Sequence, residues 1–258
     1  MFFRVLILIL NFLQIYCELN ENLKIALIPL KNEPFELVVT LGNCCLTKFR
    51  VMSYHKLNPK FKTVNHLFDW MNPLNYTAMG KSVENDLNDA FGLDHLIIRN
   101  SHHSDNIKVV ANSKYEFEFR HVFDGLFSLN QLTEEMFHKY FRSIETKFDH
   151  LVQNSKYAFF DNKKTLYIVY VGLDETNLEK NKQDDFLSFL HSLKLKRNDN
   201  FLLLVLVTDE LSLKNKYNFD VLIEGNIIFH MINEYRIAKW NCKESLIQWD
   251  NILNLFFD

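Results

Sequence analysis

The stretch Phe35-Glu36-Leu37-Val38-Val39-Thr40-Leu41-Gly42-Asn43-Cys44-Cys45 decides how the chain is read. An apolar, β-branched run ends in glycine, and two cysteines follow at once. Behind them, Cys45, Phe49 and Met52 recur at i, i+4 and i+7. This is the pattern of a strand, a tight turn and a helix. Glycine suits the turn because it has no Cβ to clash. A cysteine at the start of that helix meets unpaired N–H groups and the positive end of the helix dipole. Both favour a thiolate, the state a sulfur nucleophile needs. The same pattern also fits two small apolar residues at the start of a buried helix.

Beyond this stretch the last hundred residues alternate. Strands are expected at 165–171, 201–207 and 226–232, with helices at 182–195 and 243–257. The run 201–207 is continuously apolar, as for a strand covered on both faces. Strands separated by helices predict a single α/β domain with a mostly parallel sheet flanked by helices. Earlier, helices are expected at 45–54, at 83–91 closed by Gly92, and from Thr133 as N-cap through the stripe Phe137, Phe141, Ile144, Phe148 and Leu151. A polar loop is read over 55–65, a possible strand at 96–98 and a second polar loop over 100–105. Residues 115–123 alternate strictly, putting His121 on the face of Tyr115, Phe117 and Phe119. A histidine so held can act as a base near neutral pH, or be a satisfied core residue. Asp69, between Phe68 and Trp70, can orient a histidine or cap a helix.

The chain has 258 residues, 48% hydrophobic and 24% charged, with a net charge of −3, enough to build a core and with no basic surplus for nucleic acid. No GxGxxG or GxxxxGK[ST] motif occurs, and no cofactor is implied. His102, His103 and Asp105 lie too close in one loop to argue for metal. Residues 1–17 read as a secretory signal: Arg4 leads an apolar run too short for a bilayer span. An uncleaved anchor is the alternative. The expected mature domain is 18–258, in the secretory lumen or secreted, with no stable membrane span. Its cysteines are then Cys44, Cys45 and Cys242, an odd number, so a thiol is left free or bonded between chains. Asn75-Tyr76-Thr77 is a glycosylation acceptor. Oligomeric state is not legible.

Taken in order, Leu41-Gly42-Asn43-Cys44-Cys45, then Phe68-Asp69-Trp70, then the aromatic strand reaching His121, then Tyr140-Phe141-Arg142-Ser143-Ile144 before a β-strand, resemble the domains grouped as DUF1796 and described as papain-like cysteine peptidases. The resemblance spans roughly residues 36–255. Its Leu-Gly-x-x-Cys pattern falls on Cys45 and its histidine on His121. Leu67 stands where those domains have proline, and Val122 and Phe123 intervene before Asp124, which moves weight from Asp124 to Asp69. The resemblance implies a thiol hydrolase acting on peptide or other acyl bonds, with Cys45 as nucleophile, His121 as base and Asp69 or Asp124 fixing the imidazole. The alternatives are a catalytically inactive secretory-pathway interaction domain, and a sugar or acyl transferase using loop carboxylates such as Asp174, Glu175 and Asp209 at strand ends.

Overall fold

The structure, a computed structural model, describes residues 34–41, 45–69, 72–73, 76–101, 104–119, 133–171, 180–197, 200–208, 221–224, 227–232 and 243–257. β1 (Leu37–Leu41) is wholly buried, as its β-branched run demands. It pairs in parallel with β2 (Lys62–Thr63) on one side and β7 (Thr165–Val171) on the other. β8 (Phe201–Thr208) and β10 (Ile227–Ile232) continue the parallel sheet, and β9 (Val221–Glu224) closes it antiparallel. The order is β2-β1-β7-β8-β10-β9. The α/β fold with a mostly parallel sheet is therefore as the sequence predicts.

Alternate residues of the strands enter two separate cores. On one face Val38, Leu166, Ile168, Tyr170, Leu202 and Leu204 meet Val51 and Tyr54 of α1 (Cys45–Leu57) and Trp249 and Leu253 of α5 (Lys243–Phe257). On the other, Leu37, Val39, Tyr167, Val169 and Leu203 meet Met79 of α2 (Tyr76–Glu84), Phe148 of α3 (Glu134–Phe160) and Phe189 of α4 (Lys180–Arg197). That second face also carries a small antiparallel sheet. Its strands are β3 (Asn72–Pro73), β4 (Leu96–Ser101), β5 (Ser104–Asn112) and β6 (Phe117–Phe119), in the order β3-β6-β5-β4. Two of them, β4 and β6, fall where the sequence predicts strands, near 96–98 and within 115–123, while β3, β5 and the pairing are new.

The two layers of helices create a switch. The chain leaves β1 into α1 on one face, and leaves β7 towards α4 on the other. Two neighbouring parallel strands whose connections diverge leave a crevice at their carboxyl ends, where open α/β sheets bind ligands. Cys45 is the first residue of α1, so it stands at that edge.

Several expectations need correction. The apolar residues Phe49 and Met52 do not form the inner face of α1; they are 57% and 41% exposed, while Thr47, Val51 and Tyr54 are buried. The helix runs on to Leu57, and β2 lies inside the segment read as loop. The helix expected at 83–91 lies earlier, at Tyr76–Glu84, and residues 85–91 form a turn with positive φ at Asp86, Leu87 and Asp89. Ser101 and Ser104 belong to the hairpin β4–β5, not to a loop. Tyr115 sits in a turn, where Glu116 has φ 56°, and the strand is described only for Phe117–Phe119, with all three buried. Strict alternation fails there because both faces of β6 are covered. Thr133 does cap α3, accepting the Met136 N–H at 3.2 Å. Among the described residues no helix is long and apolar enough to cross a membrane.

Candidate functional site at the carboxyl end of β1

After β2 the chain continues beside β1 and turns over the sheet edge in a 3-10 turn, Leu67–Asp69. Leu67 and Phe68 anchor this turn in the core. The Leu67 N–H donates to Ser155 Oγ of α3 at 2.9 Å, and Asn154 Nδ2 donates to Asn65 O at 2.7 Å. The turn is thereby pinned to α3, and its last residue, Asp69, is brought back against β1.

There Asp69 is held on all sides. Thr40 Oγ1 donates to its Oδ1 at 2.5 Å, and the His66 N–H donates to Oδ2 at 3.0 Å. Lys48 Nζ lies 3.0 Å from Oδ2 and donates to Val64 O at 2.5 Å. The Asp69 side chain is 3% exposed, so three elements remote in sequence meet in a nearly dry ion pair: β1, α1 and the 64–69 segment. Removing either partner of such a pair leaves an uncompensated charge.

His66 completes the group. Its ring is fully buried, with Nε2 3.4 Å from Asp69 Oδ1, and packs near Phe68 and Phe159. Burial pushes its pKa down to about 4; Asp69 opposes that shift and Lys48 adds to it. Burial thus favours the neutral imidazole over the ordinary pH range.

Of the residues singled out in the sequence, Asp69 does sit beside a histidine, but that histidine is His66. His66 is not among the residues singled out from the sequence. Its only signal is the His-x-x-Asp spacing inside an otherwise apolar segment. Cys45 opens α1, though its side chain lies outside the described residues. His121, Asp124, Asn75, Cys44, Cys242, His102, His103, Asp174, Glu175 and Asp209 also lie outside them. Among the described residues no group of three or more His, Cys, Asp or Glu side chains is arranged to hold a metal ion. Comparison of the chain with protein-family models, curated proteins and solved structures finds no match.

Proposed function

We propose that the chain is a thiol hydrolase working at the carboxyl end of β1, with Cys45 as nucleophile, His121 as its proton acceptor and Asp69 as the fixed carboxylate. The observation that carries this reading is the recruitment of Asp69 from a sequence-remote turn to the end of β1, beside the helix that Cys45 opens. The small sheet supports it. β3 and β6 pair antiparallel through Asn72↔Glu118 and Pro73↔Phe117. β3 thus follows the turn that ends at Asp69, and it pairs with the strand that leads towards position 121 in the sequence.

In this mechanism the thiol proton passes to His121 and the thiolate sulfur attacks the carbonyl carbon. Backbone N–H groups at the start of α1 receive the developing oxyanion. The imidazolium returns its proton to the leaving group, and water then cleaves the acyl-thioester. Substrates are peptides or other acyl compounds. Resemblance to the DUF1796 domains points the same way.

The test is reactivity before substrate. A thiol-reactive probe near pH 6 should label Cys45 rapidly, slow with His121→Ala and cease with Cys45→Ala. Loss of labelling should accompany loss of hydrolysis across a panel of fluorogenic peptide and thioester substrates. An unreactive Cys45, or one bonded to Cys242, sinks the proposal and leaves the interaction-domain reading.

A further inference from the structure

We propose that the outer face of α1 is a docking surface for an anionic lipid bilayer, a role independent of the chemistry at the end of β1. Thr47, Val51 and Tyr54 are buried, and Val51 and Tyr54 pack in the core that α5 shares. The opposite side of the helix carries Phe49, Met52, Lys56 and Leu57, spaced i, i+3, i+7 and i+8 as residues of one helix face are. Phe49 is 57% exposed, Met52 41% and Leu57 74%. These are three of the six large apolar side chains exposed among the described residues, so they form a patch and not the scattered singles that every surface carries.

Charge points to the occupant. From Leu37 to Phe68 the chain has five Lys and Arg residues and no acid, although its net charge is −3. Lys56, Lys60 and Lys62 are exposed on and just beyond α1. Lys60 also donates to Phe257 O at 3.2 Å, and Lys62 lies beside the exposed Glu36, to whose carbonyl its N–H donates at 2.8 Å. Asp69 faces Lys48, and Asp250 interacts with the buried Arg50, so neither is taken up by Lys56 within the patch. A helix whose inner side is already packed presents a convex ridge. A partner helix needs a groove to receive it; a bilayer surface does not. The apolar tips can enter the acyl boundary while lysine ammonium groups, on apolar stems, reach lipid phosphates and carboxylates. Binding of this kind is shallow, depends on anionic lipid and is screened by salt.

The measurement is photolabelling of the full chain by phosphatidylcholine vesicles that carry a diazirine in the acyl chain, with or without phosphatidylserine. Labels are mapped residue by residue by tandem mass spectrometry, which separates α1 from the apolar run at 1–17, whose label is counted apart. Phe49, Met52 and Leu57 should be labelled with phosphatidylserine present, and about tenfold less without it or in high salt. Lys56→Glu and Leu57→Glu should each cut the labelling of Phe49 and Met52 about fivefold. Circular dichroism and a thermal melt establish that each variant folds, as exposed positions allow. If a variant does not fold, the contrast between the two vesicles decides alone. Labelling of α1 that is equal without phosphatidylserine, or undiminished in either folded variant, overturns the inference. An α1 left unlabelled by anionic vesicles also overturns it, and leaves an acidic protein surface as the partner to be sought.

Discussion

His66 links the ion pair at the end of β1 to the stability of the fold. In the folded chain burial holds its pKa at about 4, against an ordinary value of 6.5. As pH falls from 6.5, the unfolded chain takes up this proton first, so folding stability declines with pH. The decline continues to about pH 4 and stops there, where the folded form also binds the proton. The share of stability lost across that window is on the order of 3 kcal/mol. Urea melts of the wild type and His66→Gln at pH 7, 5.5 and 4.5 should show a steeper fall in the wild type. Parallel curves would remove the buried imidazole as the cause. His66 was not legible in advance because a single His-x-x-Asp spacing does not say that the two side chains meet. Only the return of the 64–69 segment to β1 gives it a partner.

At the level of elements, the close crossing of α2 and α4 depends on Gly80. A Cβ at that position would lie 2.5 Å from Ser192 Oγ and 3.1 Å from Ser192 Cβ. Ser192 is not free to turn away at no cost, because its Oγ donates to Glu84 Oε1 at 2.6 Å. Gly80→Ala gains about 1 kcal/mol of helix propensity but loses that hydrogen bond and crowds the crossing, so a net destabilisation of about 1–2 kcal/mol is expected. Adding Ser192→Ala removes the nearest clashing atom. The double variant should therefore be more stable than Gly80→Ala alone, a coupling that denaturant melts of all four proteins would measure. The sequence marked this region as helical, but one element too late. Val83, Leu87 and Ala90 do share a buried side, which is what the periodicity registered. The backbone beyond Glu84 nevertheless leaves the helix, with φ of 56°, 58° and 62° at Asp86, Leu87 and Asp89. The Leu87 N–H reaches Ser82 O, and Asn112 Nδ2 binds the carbonyls of Asp89 and Ala90. Hydrophobic spacing reports which residues turn inward; it does not report φ. In α1 even the inward residues were misjudged, because both Val51–Tyr54 and Phe49–Met52 fit a helical period.

Across the whole molecule, the two ends of the parallel sheet are built for different work. After residue 165, β7, β8 and β10 and the helices between them were legible because those strands are long apolar runs; β9, four residues long, was not. The small sheet was legible only in part: strands were expected near 96–98 and over 115–123, but β3 is two residues long, and the period-two pattern at β6 gave no sign that Glu118 is buried as well. At the amino end of the strands, Arg197, the last residue of α4, is nearly buried. Its guanidinium donates to Lys163 O, to Thr165 Oγ1 at 2.7 Å and to Asn200 O at 3.5 Å, tying the entries of β7 and β8 together. A cation at a helix carboxyl end also complements the dipole. Among the described residues, Thr40, Lys48 and Asp69 gather at the other edge. Changes at the two ends should therefore separate. Arg197→Met is expected to cost about 1–3 kcal/mol of stability, since charge-assisted hydrogen bonds that join the entries of β7 and β8 are lost. Below its melting transition, the variant should keep the wild-type pH profile for labelling of Cys45. Asp69→Asn should move that profile in protein that is still folded. Equal shifts of the labelling profile from both ends would mean that the thiol responds to loosening of the sheet as a whole, and not to the charges gathered at the end of β1.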